Sequence, residues 1–352
     1  MDLLWLLGAL IVILVAAELF TNAIEWFGHT LNLAEGAVGS VLAAVGTALP
    51  ETMIPLVAIL FAGRIDASAG HEIGVGAILG APFMLGTLAM FVTGVGVIAY
   101  RRRRATGARM PLDTAVLGMD MRYFFVAYGI AVAAALVPAS VHWLRYLAVA
   151  AVLLLYANYV RRHFEADPTV DAGDLAPLRF RRVDRRHHRR GPGAPRLRVV
   201  NLQVLVALAM ILGGAVAFVD AVGRISSGLG LDPALLALVV APIATELPEK
   251  FNSLIWVRQG KDTLAMGNIT GAMVFQSCIP TAIGIVLASA AWTITADNLL
   301  TFASAGIAFA SAAAIFLPMM RRGTLRGHHL LVGGAFYAAY LVLVLTHLGG
   351  LW

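Results

Sequence analysis

The sequence predicts an all-α polytopic membrane protein, with ten transmembrane helices forming two inverted five-helix repeats and broken helices at the centre. Three observations lead there. The 352-residue chain is 60% hydrophobic and 13% charged, about half the charged share of an average soluble protein. Apolar stretches of membrane-spanning length recur from one end to the other. Two matching stretches, AAVGTALPET at 43–52 and APIATELPEK at 241–250, set a proline and a carboxylate in the middle of such runs.

The spans read in order as 3–24, 37–62, 73–100, 123–137, 142–160, 200–222, 234–257, 264–292, 299–319 and 330–348. The first starts almost at Met1, with no basic n-region and no small-residue cleavage site, so no removable signal peptide is expected. Most of the 26 basic residues fall in odd-numbered connections. The third holds Arg101–Arg104, Arg109 and Arg122, the seventh Arg258 and Lys261, and the ninth Arg321, Arg322 and Arg326. The even connections hold only Arg64, Arg145 and Arg224. The positive-inside rule therefore expects odd connections in the cytoplasm, both termini extracytoplasmic, and a place in the cell (inner) membrane. Cys278, the single cysteine, can form no internal disulfide.

The fifth connection is the one long polar segment and turns strongly arginine-rich over 179–198. It reads as a partly disordered linker whose arginines enforce topology, or as an element binding anionic lipids. The net charge of +6 thus belongs to topology, and nothing resembles a nucleic-acid-binding fold. The segment divides the chain into a first repeat (1–160), a linker (161–199) and a second repeat (200–352). A constant shift lays residues 16–51 on 214–249 without a gap, pairing Thr47 with Thr245 and Leu49-Pro50-Glu51 with Leu247-Pro248-Glu249. Slightly further on, Gly76 and Gly80 fall on Gly267 and Gly271. Each half has an odd number of spans, so the second lies inverted, the arrangement of secondary transporters with a site between the halves.

The chemistry concentrates in the two repeated stretches. Pro50 and Pro248 remove the donors for the carbonyls of Gly46 and Ala244. A mid-membrane acid costs roughly 2.5–3.5 kcal/mol, so Glu51, Glu246 and Glu249 would together cost on the order of 8–10 kcal/mol uncompensated. Thr47 and Glu51 share a helix face, as do Thr245 and Glu249. Hydroxyls, carboxylates and freed carbonyls are the oxygen donors that Na⁺ or Ca²⁺ requires, so a bound cation is the expected compensation. The alternative is a kinked helix with a hydrogen-bonded glutamate. The second stretch departs from the first, with Glu246 at the place of Ala48 and Lys250 at that of Thr52. Glu246 and Lys250 can pair at i,i+4, leaving Glu51 and Glu249 as the net charge; otherwise Glu246 binds a proton or second ion. Asn268, in the GNITG stretch, is a further candidate ligand, and Gln276, Ser277 and Cys278 are weaker ones. Asn22 and Asp220, at matching positions, line an access route or mark span ends.

These stretches resemble the membrane region of the sodium/calcium exchanger family, whose two inverted repeats each carry a G-T-S-L-P-E signature. Here the signatures read Gly46-Thr47-Ala48-Leu49-Pro50-Glu51 and Ala244-Thr245-Glu246-Leu247-Pro248-Glu249, and 262–271 matches the helix that follows. The resemblance implies alternating-access exchange of Ca²⁺ against Na⁺, with Glu51 and Glu249 as ligand carboxylates and Thr47 and Thr245 beside them. Ala81-Pro82 and Ala272-Met273 replace further family ligands, and Lys250 adds a fixed positive charge. The expected function is therefore an antiporter of Ca²⁺ or another divalent cation against Na⁺, with no resident cofactor. The alternatives are a cation/proton exchanger using Glu246 or Glu249 as proton carrier, or a non-transporting scaffold or sensor of the same fold. An intramembrane metal hydrolase is disfavoured, since no HExxH occurs.

Overall fold

Proline and glycine placement sets where the helices of this chain stop, and the computed structural model describes residues 2–30, 43–61, 67–166, 176–183 and 195–348. Helices α1 (Asp2–Thr30), α2 (Ala43–Leu60) and α3 (Ala67–Met84) lead into a π-helical turn (Leu85–Ala89) and α4 (Met90–Tyr100). Strand β1 (Arg109–Pro111), α5 (Thr114–Ala134) and α6 (Trp143–Ala166) follow. Beyond a 3-10 turn (Arg179–Val183) come α7 (Leu197–Leu229), α8 (Pro233–Thr245), α9 (Leu247–Gln259) and α10 (Asp262–Leu287). The chain ends with α11 (Leu299–Arg322), strand β2 (Thr324–Arg326), α12 (Gly327–Leu330) and α13 (Val332–Leu348).

Eight stretches of the described residues, rather than ten, are long and apolar enough to cross a membrane. Two shorter apolar helices, Glu51–Leu60 and Pro233–Pro242, lie in the second and seventh expected spans, the two that carry proline and carboxylate. In the seventh the helix stops at Glu246, whose backbone (φ −91°, ψ 5°) separates α8 from α9. Pro248 then sits in the first turn of α9, where a missing N–H costs no helical bond. Helix α2 instead runs unbroken through Pro50 and Pro55, a course that replaces a break by lost hydrogen bonds and bending.

Two long elements are central. In the most apolar 18 residues of Ala69–Tyr100 83% are buried and in those of Asp262–Leu287 72%, against 17% in those of Trp143–Arg162. Burial on all sides explains why the central helices carry small and polar residues that a lipid-facing helix would not. Gly76 and Gly80 let α3 lie backbone to backbone on α8. A Cβ at Gly76 would come 2.8 Å from Ala234 Cα, and one at Gly80 would come 2.9 Å from Leu238 Cα. Past Pro82, the π turn takes up the shifted register. Its Gly86 carbonyl accepts the Ser311 hydroxyl of α11 at 2.6 Å.

Two differences from the sequence reading concern the edge of the fourth span. Helix α5 begins at Thr114, nine residues before the expected 123, because Asp113 Oδ1 caps it by accepting the N–H groups of Ala115 (2.8 Å) and Val116 (3.3 Å). Arg122 therefore belongs to a helix and not to a connection. Within this helical fold, β1 and β2 form one short antiparallel pair, Met110 opposite Leu325. That pair joins the third connection to the ninth. Arg104 joins the third to the seventh, donating to both Asp262 carboxylate oxygens at 2.7 Å and to the Val257 carbonyl. At the other end Arg145 reaches Ser289 and Thr293, tying the fourth connection to the eighth. Odd connections thus meet odd ones and even meet even.

Part of the linker is ordered against the helices. Asn22 donates to the Ala176 carbonyl (3.1 Å) and accepts from Arg179 N–H (3.0 Å), and Gln203 accepts from Phe180 N–H (2.9 Å). The arginines at 185–190 lie outside the described residues.

Candidate cation site

Glu51 sits on α2 one turn before Pro55, whose ring removes the amide that would bond the Glu51 carbonyl. The residue is only 7% exposed. It faces a small cavity of about 10 Å³. The remaining walls are Ile54 of α2, Ala77 and Ala81 of α3, and Ala241 and Pro242 of α8. That volume holds about one water or one dehydrated cation. The alanines make this room, and the glycines that draw α3 onto α8 close it.

The break after α8 supplies the other charges. Glu246 is fully buried, and Lys250, one turn on, is 6% exposed. The i,i+4 pair forms: Lys250 Nζ lies 3.3 Å from Glu246 Oε2. Nζ also donates to the Pro242 carbonyl at 3.4 Å, an oxygen that accepts the Glu246 N–H at 3.1 Å as well. Pro242 therefore both lines the cavity and contacts the ammonium through its carbonyl. A lone lysine at this depth would be costly; a carboxylate and a carbonyl together compensate it.

The backbones of Gly46, Thr47, Ala244, Thr245 and Glu249 are placed on α2, α8 and α9, and their side chains lie outside the described part of the structure. Asn268 is half-buried on α10 at the position matching the cavity-lining Ala77, though it is not among the lining residues. The weaker candidates separate. The Ser277 hydroxyl bonds to its own helix at the Val274 carbonyl (2.8 Å), and Cys278 is buried beside it. Gln276, two turns beyond Asn268 on the same face, is 2% exposed, and its Oε1 has no hydrogen-bond partner among the described residues. Asn22 and Asp220 are engaged at span ends among the described residues. Asn22 holds the linker, and Asp220 pairs with Arg224 at a half-exposed span end.

One carboxylate escaped the sequence reading. Asp120 is 1% exposed inside α5, accepting from Tyr159 OH at 3.0 Å and from the Thr270 hydroxyl at 2.5 Å. Thr270 stands on α10 between Asn268 and Gly271, so Asp120 anchors the helix that carries a candidate ligand. The Asp113-Thr114 capping signal would have moved it from loop to helix.

Comparison with known proteins agrees with this architecture. The model of the family "Sodium/calcium exchanger protein" matches residues 1–162 and 200–349. A protein of Alkalimonas amylolytica, named "Putative antiporter CaxA", is 24% identical over 331 residues, covering 92% of this chain and 91% of its own. The crystal structure of an H⁺/Ca²⁺ exchanger CAX superposes with a TM-score of 0.72 at 16% identity, over 99% of this chain and 88% of that one. The sodium-calcium exchanger NCX_Mj, soaked with Na⁺ and Sr²⁺, gives 0.57 at 16% identity over 97% of both chains. With a family model spanning both halves and a shared polytopic fold, the chain belongs to the sodium/calcium exchanger family, a family of cation exchangers and not of enzymes.

Proposed function

We propose that this protein exchanges Ca²⁺ for Na⁺ across the cell membrane at a site centred on Glu51 and Glu249. The observation that carries the reading is Glu51 itself, a buried carboxylate facing a cavity the size of one dehydrated ion. A hard divalent cation there takes its negative charge from the two glutamates. Its remaining oxygens come from Thr47, Thr245, Asn268 and the carbonyls of Gly46 and Ala244. The repeats 1–160 and 200–352 supply one half of the site each, and their relative movement exposes it to either side in turn. The arginine-rich connections, with the linker 161–199, lie in the cytoplasm. Both termini lie outside, and the 179–198 segment contacts anionic lipid.

A second reading, with H⁺ as the counter-ion, is favoured by the Glu246–Lys250 pair and by the missing ligands at Ala48, Ala81 and Ala272. Glu246 is engaged by Lys250, which leaves Glu249 as the proton carrier. Both relatives with solved structures are exchangers of Ca²⁺ by name and differ in the partner ion. Uptake of ⁴⁵Ca²⁺ into proteoliposomes, driven first by a Na⁺ gradient and then by a pH gradient, decides. Uptake with Na⁺ supports the first reading and uptake with pH alone the second. Absence of both overturns Ca²⁺ antiport and leaves the scaffold or sensor.

A further inference from the structure

We infer that the Lys250 ammonium is a built-in counter-charge that sets the exchange at one divalent cation for two monovalent ones, making transport electroneutral. The inference rests on the antiport reading and adds the charge it moves. The pair is one-sided: Ala48 and Thr52 occupy the matching places in the first half, so a single ammonium is added to the whole site. It is also adjacent to the cavity, because the Pro242 that bounds the space before Glu51 is the residue whose carbonyl Lys250 contacts at 3.4 Å.

The charge count follows. Glu51, Glu246 and Glu249 bring three negative charges and Lys250 one positive, for a net of minus two. A site that must cross a low-dielectric interior is stabilised when its occupants neutralise it, since any residual charge carries a desolvation penalty. One divalent cation neutralises this site, and so do two monovalent cations. Three monovalent cations leave it positive. Unlike a transported ion, the ammonium is tethered to the backbone one turn from its carboxylate and cannot be released. It therefore occupies permanently the place a third monovalent cation would fill. The other buried charges do not enter the count. Arg104 and Asp262 neutralise each other at 2.7 Å, while Asp120 bonds to Tyr159 and Thr270 and Arg145 to Val137, Ser289 and Thr293, none of them a residue of the cavity or of the Glu246–Lys250 pair.

The test is the voltage dependence of ⁴⁵Ca²⁺ uptake by full-length protein in proteoliposomes, with the potential clamped by K⁺ and valinomycin. The driving gradient is Na⁺ in one series and pH in the other. A whole charge crossing a 100 mV field changes an equilibrium by up to about 50-fold. For the unmodified protein we expect initial rates and final accumulation at 0 and ±100 mV to agree within about twofold, well below that limit. Lys250→Gln restores a third net negative charge and is expected to make uptake several-fold voltage-dependent. The double variant Glu246→Gln/Lys250→Gln removes both charges and is expected to be voltage-independent again. Uptake by the unmodified protein that changes several-fold with potential overturns the inference alone. So does a voltage-independent Lys250→Gln, or a voltage-dependent double variant should Lys250→Gln fail to fold. Absence of uptake under either gradient overturns the antiport reading, and the inference with it.

Discussion

A carboxylate that is 7% exposed persists only where its charge is compensated. For Glu51 we place the transported cation in the cavity that it faces. Glu51→Gln keeps the shape and removes the charge, so ⁴⁵Ca²⁺ uptake is expected to fall by about 30-fold or more, the scale of truncating one side of a buried charge pair. Unchanged uptake would move the site elsewhere. Asp120 is a second buried acid with a different role, because two hydroxyls already donate to it. Asp120→Ala deprives Tyr159 and Thr270 of this acceptor, and about 1–3 kcal/mol of destabilisation is expected, read as a lower apparent Tm in detergent. A Tm equal to that of the unmodified protein would remove its anchoring role. Glu51, Glu246 and Lys250 were legible in the sequence because charge beside proline inside an apolar run is costly and the pattern occurs in both halves. Asp120 was not, since its partners lie 39 and 150 residues away and no local pattern marks such a contact.

Helices show the same division between local and distant causes. The glycine pair of α3 was legible as a packing face, whereas its partner on α8 was not, because packing depends on which helices meet. Gly80→Val would push a side chain into the Leu238 backbone. We expect loss of folded yield or at least about 1–3 kcal/mol of stability. Gly306→Val on α11, where a Cβ meets nothing within 4 Å among the described residues, is expected to be tolerated. Equal behaviour of the two would show that the α3–α8 contact is not tight. The break at Glu246 followed from Pro248, but the continuous course of α2 past Pro50 did not, since proline permits either a kink or a break. The Arg104–Asp262 pair joins the third connection to the seventh, and both side chains are essentially inaccessible, at 0% and 1%. Removing one partner strands the other, so Arg104→Ala is expected to cost about 3–5 kcal/mol, read by thermal unfolding in detergent. A loss well below 1 kcal/mol would mean that water reaches Asp262.

Over the whole molecule, sequence charge and structural contacts constrain different things. Contacts divide the connections into two groups, third with seventh and ninth at one end and fourth with eighth at the other. They carry no sign for the two ends, because the fold is the same whichever faces the cytoplasm. The sign comes from the arginines, which translocate poorly against the positive-inside bias. Two exposed positions test it: Val183, 57% exposed in the arginine-rich segment, and Leu136, 69% exposed after α5. Cys278 is buried at 1%, so the native thiol gives little background to a membrane-impermeant maleimide. In intact cells Leu136→Cys is expected to label at once, and Val183→Cys only after the membrane is permeabilised. The reverse pattern would invert the protein and place its arginines outside. Labelling of both positions from one side would mean that the fourth and fifth connections share a face. The odd–even grouping of the connections, and the inverted relation of the two halves that follows from it, would then have to be abandoned.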